Sequence, residues 1–209
     1  MSKDFGGDGG TPEVALAVLD AYMYTSNLTL LKHYLPLVTE TVDFFLQHFP
    51  NRTADDEYVI WPTQVLESFW CVGWDVVNNR PPAECVVNDL PTVAGLYTLL
   101  EKTLALPVGV LTASQVASYS MFYQQLPPLP TAVVNGITVL LPAKVYNASA
   151  RHNEETPELY SVHPYRRFTV GRAVTQGVNL SMAIDNFNTR KLRVVLLHSM
   201  LCQSSRLCV

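Results

Sequence analysis

Apolar residues recur at three- and four-residue steps near the start of the chain, the spacing of helices that bury one face. The stretch PEVALAVLDAYMYT begins at Pro12, a residue favoured in the first helical turn. Its predicted apolar face comprises Val14, Leu16, Val18, Leu19, Tyr22 and Met23. A second helix, capped by Asn27, carries Leu31, Leu35, Val38, Val42, Phe45 and Leu46. The two predict a helical hairpin.

Three further helices are predicted along the chain. Asp89 caps the segment LPTVAGLYTLLEKTLAL, which has Pro91 in its first turn and a row of leucines on one face. Thr112 or Ser114 caps a helix that continues to Gln125. A last amphipathic helix is expected over residues 176–190.

Irregular segments rich in aromatic residues separate these helices. The run EYVIW is extended and ends at Pro62, so the following residues, TQVLESFW, belong to a loop. The segment TAVVNGITVLL, residues 131–141, predicts two short strands around an Asn-Gly turn. The expected fold is therefore mainly α, with short β-hairpins in the loops. Functional side chains are expected on those loops, because a rigid scaffold holds them in place.

Composition excludes some function classes. The chain has 209 residues, of which 48% are hydrophobic and 15% charged, enough apolar material for a sizeable core. Its net charge of -4 and the absence of a basic cluster interleaved with aromatic residues disfavour nucleic-acid binding. No window approaches the roughly 18 apolar residues of a membrane span, and the N-terminal MSKDFGGDGG does not resemble a signal peptide. We therefore expect no membrane span, and the localisation of the chain is left open.

The four cysteines, at positions 71, 85, 202 and 208, lack the paired spacing of a zinc site. Separate buried thiols are the favoured interpretation of Cys71 and Cys85, with a disulfide between them as the alternative. Four N-x-S/T sequons begin at Asn27, Asn51, Asn147 and Asn179. Such sequons are a hint of a secreted parent protein.

Glu67 is the first candidate for chemistry. It stands near four aromatic residues, Trp61, Phe69, Trp70 and Trp74, which would desolvate the carboxyl and raise its pKa. A raised pKa suits a general acid, and aromatic faces suit sugar rings. The alternative, favoured by the local sequence alone, is that Glu67 caps a short helix or pairs with an arginine.

The second candidate is the segment HNEETPELYSVHPYRR, residues 152–167. Its histidines, glutamates, tyrosines and arginines offer many hydrogen-bonding groups for sugar hydroxyls or a carboxylate. The spacing of His152 and His163 matches no metal template, so no metal is expected. The alternative is a solvated loop in which Tyr160 and Tyr165 are half-buried.

Four motifs in order carry a resemblance to a known superfamily: WPTQVLESFW, NDLPTVAGLYTLLEKTLALP, QQLPPLPTAVVNGITVLLPAKVYN and HNEETPELYSVHPYRRFTVGR. They resemble the C-terminal half of the catalytic region of six-hairpin glycosidases, near the alpha-L-fucosidases of glycoside hydrolase family ninety-five. The resemblance covers roughly residues 12–190. It implies part of an (α/α)6 toroid, whose loops at one end line a sugar pocket.

The resemblance also implies roles for individual residues. Glu67 matches the general acid of the fucosidases, although the Ser-Pro step that precedes that glutamate is absent here. The residues expected to contact the sugar are Trp61, Gln64, Trp70, His152, Glu158, Tyr160, His163 and Arg166. The substrate would be an alpha-L-fucoside or a plant or algal polysaccharide. No cofactor is implied, because proton transfer and electrostatics suffice for this reaction.

The C-terminal residues depart from the superfamily. The tail KLRVVLLHSMLCQSSRLCV lacks the Gly-Trp segment and the aspartate that activates water in the relatives. An inverting glycosidase needs two carboxyl groups, and the sequence identifies one. We therefore expect a leader over residues 1–11, a partial catalytic domain over 12–190 and an unrelated tail over 191–209, in a truncated product that is inactive alone.

Two other functions compete with a glycosidase fragment. The first is a catalytically silent module that binds carbohydrate through the same aromatic residues. The second is a helical scaffold that recruits proteins, or a second copy of itself, through an exposed apolar surface.

Overall fold

The computed structural model describes residues 10–71, 85–134, 136–153 and 155–168. Four α-helices lie in these ranges: α1 Gly10–Thr25, α2 Leu28–His48, α3 Leu90–Leu104 and α4 Ala113–Gln124. The mainly α prediction is confirmed for this part of the chain. The predicted helix at 176–190, the tail at 191–209 and Trp74 lie outside the described residues. No helix in the described ranges is long and apolar enough to cross a membrane.

Helix α3 is the centre of the core. The helices α1 and α4 pack against it, as does the short 3-10 helix Pro157–Ser161. The sequence predicted one apolar face for α3, but burial extends around the whole helix from Leu90 to Leu100. Burial on every side requires neighbouring segments to approach the helix closely, and small residues on the helix allow this. A Cβ on Gly95, for example, would lie 2.9 Å from the Tyr165 ring.

The hairpin of α1 and α2 forms as predicted, with a narrower buried face on α1. Asn27 caps α2, its side chain accepting a hydrogen bond from the backbone N–H of Leu30 at 3.0 Å. On α1, Ala15, Leu16 and Leu19 are buried, at the three- and four-residue steps of one helical face. Val14 and Met23 were predicted on this face, but they are 55% and 63% exposed, because they lie on other sides of the helix.

Two small antiparallel sheets complete the described fold. Strands β2 Thr131–Val134 and β3 Ile137–Leu140 form the predicted hairpin, and Gly136 in its turn has a φ of +79°. Strands β1 Val87–Asp89 and β4 Ala143–Val145 pair over a long sequence separation, with Val87 opposite Val145. The β1 and β4 pair was not predicted, because three-residue strands leave little periodicity.

The run before Pro62 lies along this second sheet. Ile60 donates its backbone N–H to the Asn88 side chain at 2.8 Å and accepts from the Asn88 backbone at 2.9 Å. Thr63 and Val86 form a further antiparallel bridge. The 65–70 loop therefore begins beside this small sheet, and the chain after β4 begins at the sheet as well.

The segment 157–168 is anchored to α3 and α4 by buried polar groups. The Arg167 guanidinium, 1% exposed as a side chain, lies 2.6 Å from a carboxylate oxygen of Glu101. Tyr123 donates to the same oxygen at 2.8 Å, and Thr98 donates to the Tyr165 carbonyl at 3.0 Å. Because these groups pair with one another, their burial costs less than that of an unpaired charge.

Asp89 is a fully buried carboxylate at the N-terminus of α3. It caps the helix by accepting the backbone N–H of Thr92 at 2.8 Å. Burial raises the pKa of Asp89 to about 6, and the hydrogen bonds from Thr92 only partly oppose this. Since the folded state holds the proton to a higher pH than the unfolded chain, this group stabilises the fold at low pH. That contribution is lost as the pH rises from about 4 to 6.

We predict that Asp89→Asn removes this pH dependence. Asparagine keeps the cap but cannot ionise, so the variant should match the parent near pH 4 and exceed its free energy of unfolding by about 3 kcal/mol above pH 6. Urea denaturation of both proteins from pH 4 to 8 measures the difference, in which all other titrations cancel. Asp89→Ala, which loses the cap, should be less stable than Asp89→Asn by about 1 kcal/mol. A difference between parent and Asp89→Asn that does not change with pH would refute the buried titration.

Candidate functional site

Residues 65–69 form a tight turn that presents Glu67 at its tip. The Val65 and Phe69 backbones bridge, with the Val65 N–H donating to the Phe69 carbonyl at 2.9 Å. The Ser68 N–H donates to the Val65 carbonyl at 3.0 Å, and Leu66 has a φ of +47°. Val65, Ser68 and Phe69 are buried, whereas Glu67 is exposed.

A second loop, residues 146–155, holds this turn in place. The backbone carbonyl of the buried Ser68 accepts the backbone N–H of His152 at 2.8 Å. The Ser68 hydroxyl donates to the Asn153 side chain at 2.9 Å. The backbone N–H of Glu67 donates to the Glu155 carboxylate at 3.1 Å. We call these three hydrogen bonds the clamp. The clamp brings together segments that are 84 to 88 residues apart in sequence.

An aromatic pair lies beside the clamp. The Trp70 and His152 rings stack with centroids 4.3 Å apart and planes inclined by 9°. Trp70 remains 44% exposed, and His152 is also exposed. We call Trp70 and His152 the platform. Phe69 and Tyr146, whose ring centroids are 5.2 Å apart, pack on the buried side of the same two segments.

A disulfide joins Cys71, the residue after Trp70, to Cys85, the residue before Val86. The favoured sequence interpretation, two separate thiols, is therefore wrong. The reason is tertiary: the bridge between Thr63 and Val86 and the tight turn return the chain to within reach of Cys85. A bond closing a loop of 14 residues stabilises a fold by about 3 kcal/mol, because it restricts the unfolded chain. Here it secures the segment that carries Trp70.

The environment predicted for Glu67 is not observed. Trp61, Phe69 and Trp70 leave its side chain exposed, because the tight turn places it at the tip. The alternative of an arginine partner is not observed either: none of the ion pairs that join two described residues, Lys102 with Asp20, Arg166 with Asp20 and Arg167 with Glu101, involves Glu67. Trp61 and Gln64 lie half-buried on the approach to the turn.

The predicted sugar-contacting residues fall into two groups. His152 joins Trp70 in the platform. Glu158 is 1% exposed in the 3-10 helix against α3, so it presents no surface to a saccharide in this structure. Arg166 lies 3.6 Å from Asp20 of α1 and is drawn toward that helix. His163 is half-buried, and burial together with the Arg166 charge lowers its pKa.

Tyr160 is a half-buried residue of the 3-10 helix Pro157–Ser161. Burial raises its pKa, and the negative charges of Glu13 on α1 and of Glu155 in the clamp raise it further. Its ring centroid is 6.1 Å from that of Tyr165, which was expected to be half-buried but is fully buried. The charges of α1 and of the clamp therefore both act on the Tyr160 hydroxyl.

Three residues that matter in this region were missed by sequence reasoning. Glu155 and Asn153 stand within the polar segment but carry no motif that separates them from their neighbours. Arg167 was passed over in favour of the adjacent Arg166, although Arg167 is the buried one. Only the long-range contacts distinguish these residues.

The chemistry available at the clamp consists of two exposed carboxyl side chains, Glu67 and Glu155, beside an exposed aromatic pair. Within the described ranges, no group of three His, Cys, Asp or Glu side chains is arranged to hold a metal ion. No protein-family model and no curated protein matches the chain.

We predict that Asn153→Ala loosens the clamp locally. The Ser68 hydroxyl loses its nearer acceptor, and the Glu155 N–H loses the same side-chain oxygen. At a cost of about 1 kcal/mol, the His152 and Glu67 amides should exchange hydrogen about fivefold faster. Amides in the middle of α3 should be unaffected. Asn153→Asp keeps the acceptor oxygen and serves as the matched control. Unchanged exchange at both clamp amides in Asn153→Ala would contradict the role given to Asn153.

Proposed function

We propose that the chain is part of a glycoside hydrolase-like catalytic region and that it binds a saccharide across the platform of Trp70 and His152. The observation that carries the proposal is the exposed, stacked aromatic pair next to two carboxyl groups. The C–H face of a sugar ring packs on aromatic surfaces, and its hydroxyl groups donate hydrogen bonds to carboxylates. The ordered motif resemblance to six-hairpin glycosidases supports the same class of ligand.

The carboxyl groups of Glu67 and Glu155 extend the proposal from binding to the residues that a reaction would need. Glycosidases place one carboxyl as a proton donor and a second as base or nucleophile. Sequence reasoning assigned Glu67 the first role and found no second group. Glu155 contacts the backbone of Glu67 and is proposed as the second carboxyl at this surface. Its position supports ligand binding whether or not a reaction follows.

The exposed position of Glu67 determines whether it can act as a general acid. A general acid near neutral pH needs a desolvated carboxyl, and the described neighbours of Glu67 leave it open to water. The cover would come from the saccharide or from other parts of a complete toroid. Binding without hydrolysis is therefore the proposed activity of this chain.

We predict that Trp70→Ala weakens saccharide binding about tenfold, a loss of roughly 1.4 kcal/mol, because the stacking surface is removed. Calorimetric titration with alpha-L-fucosyl oligosaccharides and plant polysaccharide fragments measures the affinity. Trp70→Phe keeps a ring and should retain most of it. Tyr24→Ala removes another exposed aromatic side chain, on α1, and should bind like the parent. Equal affinities for parent and Trp70→Ala would contradict saccharide binding at the platform.

We predict that the chain does not release aryl alcohol from aryl glycosides above the level of its Glu67→Gln variant. Glutamine preserves the size of the side chain while removing the proton that an acid would donate. Aryl glycosides with good and poor leaving groups provide the assay. Turnover that disappears in Glu67→Gln, most strongly for the poor leaving group, would make this chain an active glycosidase instead.

A second candidate function, a scaffold for protein association, rests on the outer face of α2. Tyr34, Leu37 and Phe44 occupy one side of this helix and are each 40% to 48% exposed. Exposed apolar side chains in a row are typical of surfaces that meet another helix. Self-association that grows with protein concentration, in a chain that binds none of the saccharides, would favour this function over the first.

A further inference from the structure

Three of the four N-x-S/T sequons lie in the described residues, and each presents an exposed asparagine. Asn27 stands in the turn between α1 and α2, Asn51 follows α2, and Asn147 precedes a short 3-10 helix in the 146–155 loop. The fourth, at Asn179, lies outside the described residues. N-linked glycans are bulky and hydrophilic, so they require positions at the surface, where all three asparagines are found.

The hydrogen bonds of these asparagines are compatible with a glycan. Asn27 and Asn147 use their side-chain oxygens, which accept the backbone N–H groups of Leu30 and Ser149 at 3.0 and 3.1 Å. A glycan attaches to the side-chain nitrogen, so neither cap is lost. Asn51 contributes its backbone carbonyl to the loop, accepting the N–H of Val59 at 3.0 Å, while its side chain is exposed.

The disulfide between Cys71 and Cys85 is an independent observation that points to the same compartment. Disulfides form and persist in the lumen of the secretory pathway and are rare in the reducing cytosol. The enzymes that glycosylate asparagine act in that lumen. The two modifications therefore require one cellular environment.

We propose that Asn27, Asn51 and Asn147 are N-glycosylation sites, which are modified when the chain enters the secretory pathway. The donor is a lipid-linked oligosaccharide diphosphate. A bond forms between the side-chain nitrogen of asparagine and C1 of the first sugar, the bond from C1 to the phosphate oxygen breaks, and the nitrogen loses one proton. The lipid diphosphate leaves with the bonding electrons, and nothing is oxidised or reduced. This inference is independent of the saccharide-binding function.

The test is expression of the full chain behind a secretion signal in eukaryotic cells. Both the secreted protein and the pool retained in the endoplasmic reticulum are collected, so that poor export does not hide modification. Treatment with peptide N-glycosidase should lower the apparent mass and convert the three asparagines to aspartates, which peptide mass spectrometry identifies. Glycans on Asn27, Asn51 and Asn147 are the expected result.

Sequon variants provide matched controls. Thr53→Ala and Ser149→Ala should each remove one glycan-sized step, at Asn51 and Asn147 respectively. Thr53→Ser and Ser149→Thr preserve the sequons and should keep both steps. Thr53→Ser also preserves the hydroxyl that accepts the Glu57 N–H at 3.1 Å, so a folding defect is separated from loss of the acceptor site. Unmodified asparagines at all three positions in both pools would overturn the proposal.

Discussion

The candidate site depends on the burial of Ser68. A serine that is fully buried must find partners for its hydroxyl, its carbonyl and its N–H, or the fold bears the cost of their desolvation. The tight turn satisfies the N–H, and His152 and Asn153 satisfy the other two groups. Because those partners belong to a distant loop, satisfying one residue fixes the position of Glu67, Trp70 and His152 together.

Neighbouring structure stabilises the contacts of Ser68. The small sheet of β1 and β4 aligns the starts of both segments, and the disulfide secures the residue after Trp70. Asp89 ends β1 and caps α3, so the sheet is joined to the most buried helix of the core. A buried carboxylate at that junction destabilises the fold when it ionises. The helices thus act as a base on which the loops are mounted.

Local rules predicted most of the described helices and turns but little of the site. Asn27, Asp89 and Thr112 cap their helices as expected, and the Asn-Gly hairpin forms, since each needs only nearby residues. Glu158 and Arg166 could not be placed by such rules: which of them faces the core depends on the packing of their segment against α3 and α1. The disulfide and the clamp are likewise contacts between distant residues, invisible to periodicity. The exposed aromatic pair beside Glu67 and Glu155, a product of those contacts, is the reason to propose a saccharide as the ligand.

Binding at the platform is the central claim, and magnetic resonance of the isotope-labelled chain tests it most directly. Titration with an alpha-L-fucosyl oligosaccharide or a plant polysaccharide fragment should shift the Trp70 indole N–H and the His152 ring protons with one shared, saturable midpoint. Weaker shifts are expected at the Glu67 amide, through the clamp. Resonances of Trp70 and His152 that stay fixed across the whole series of saccharides, or shifts confined to Tyr34 and Phe44 on α2, would contradict the account.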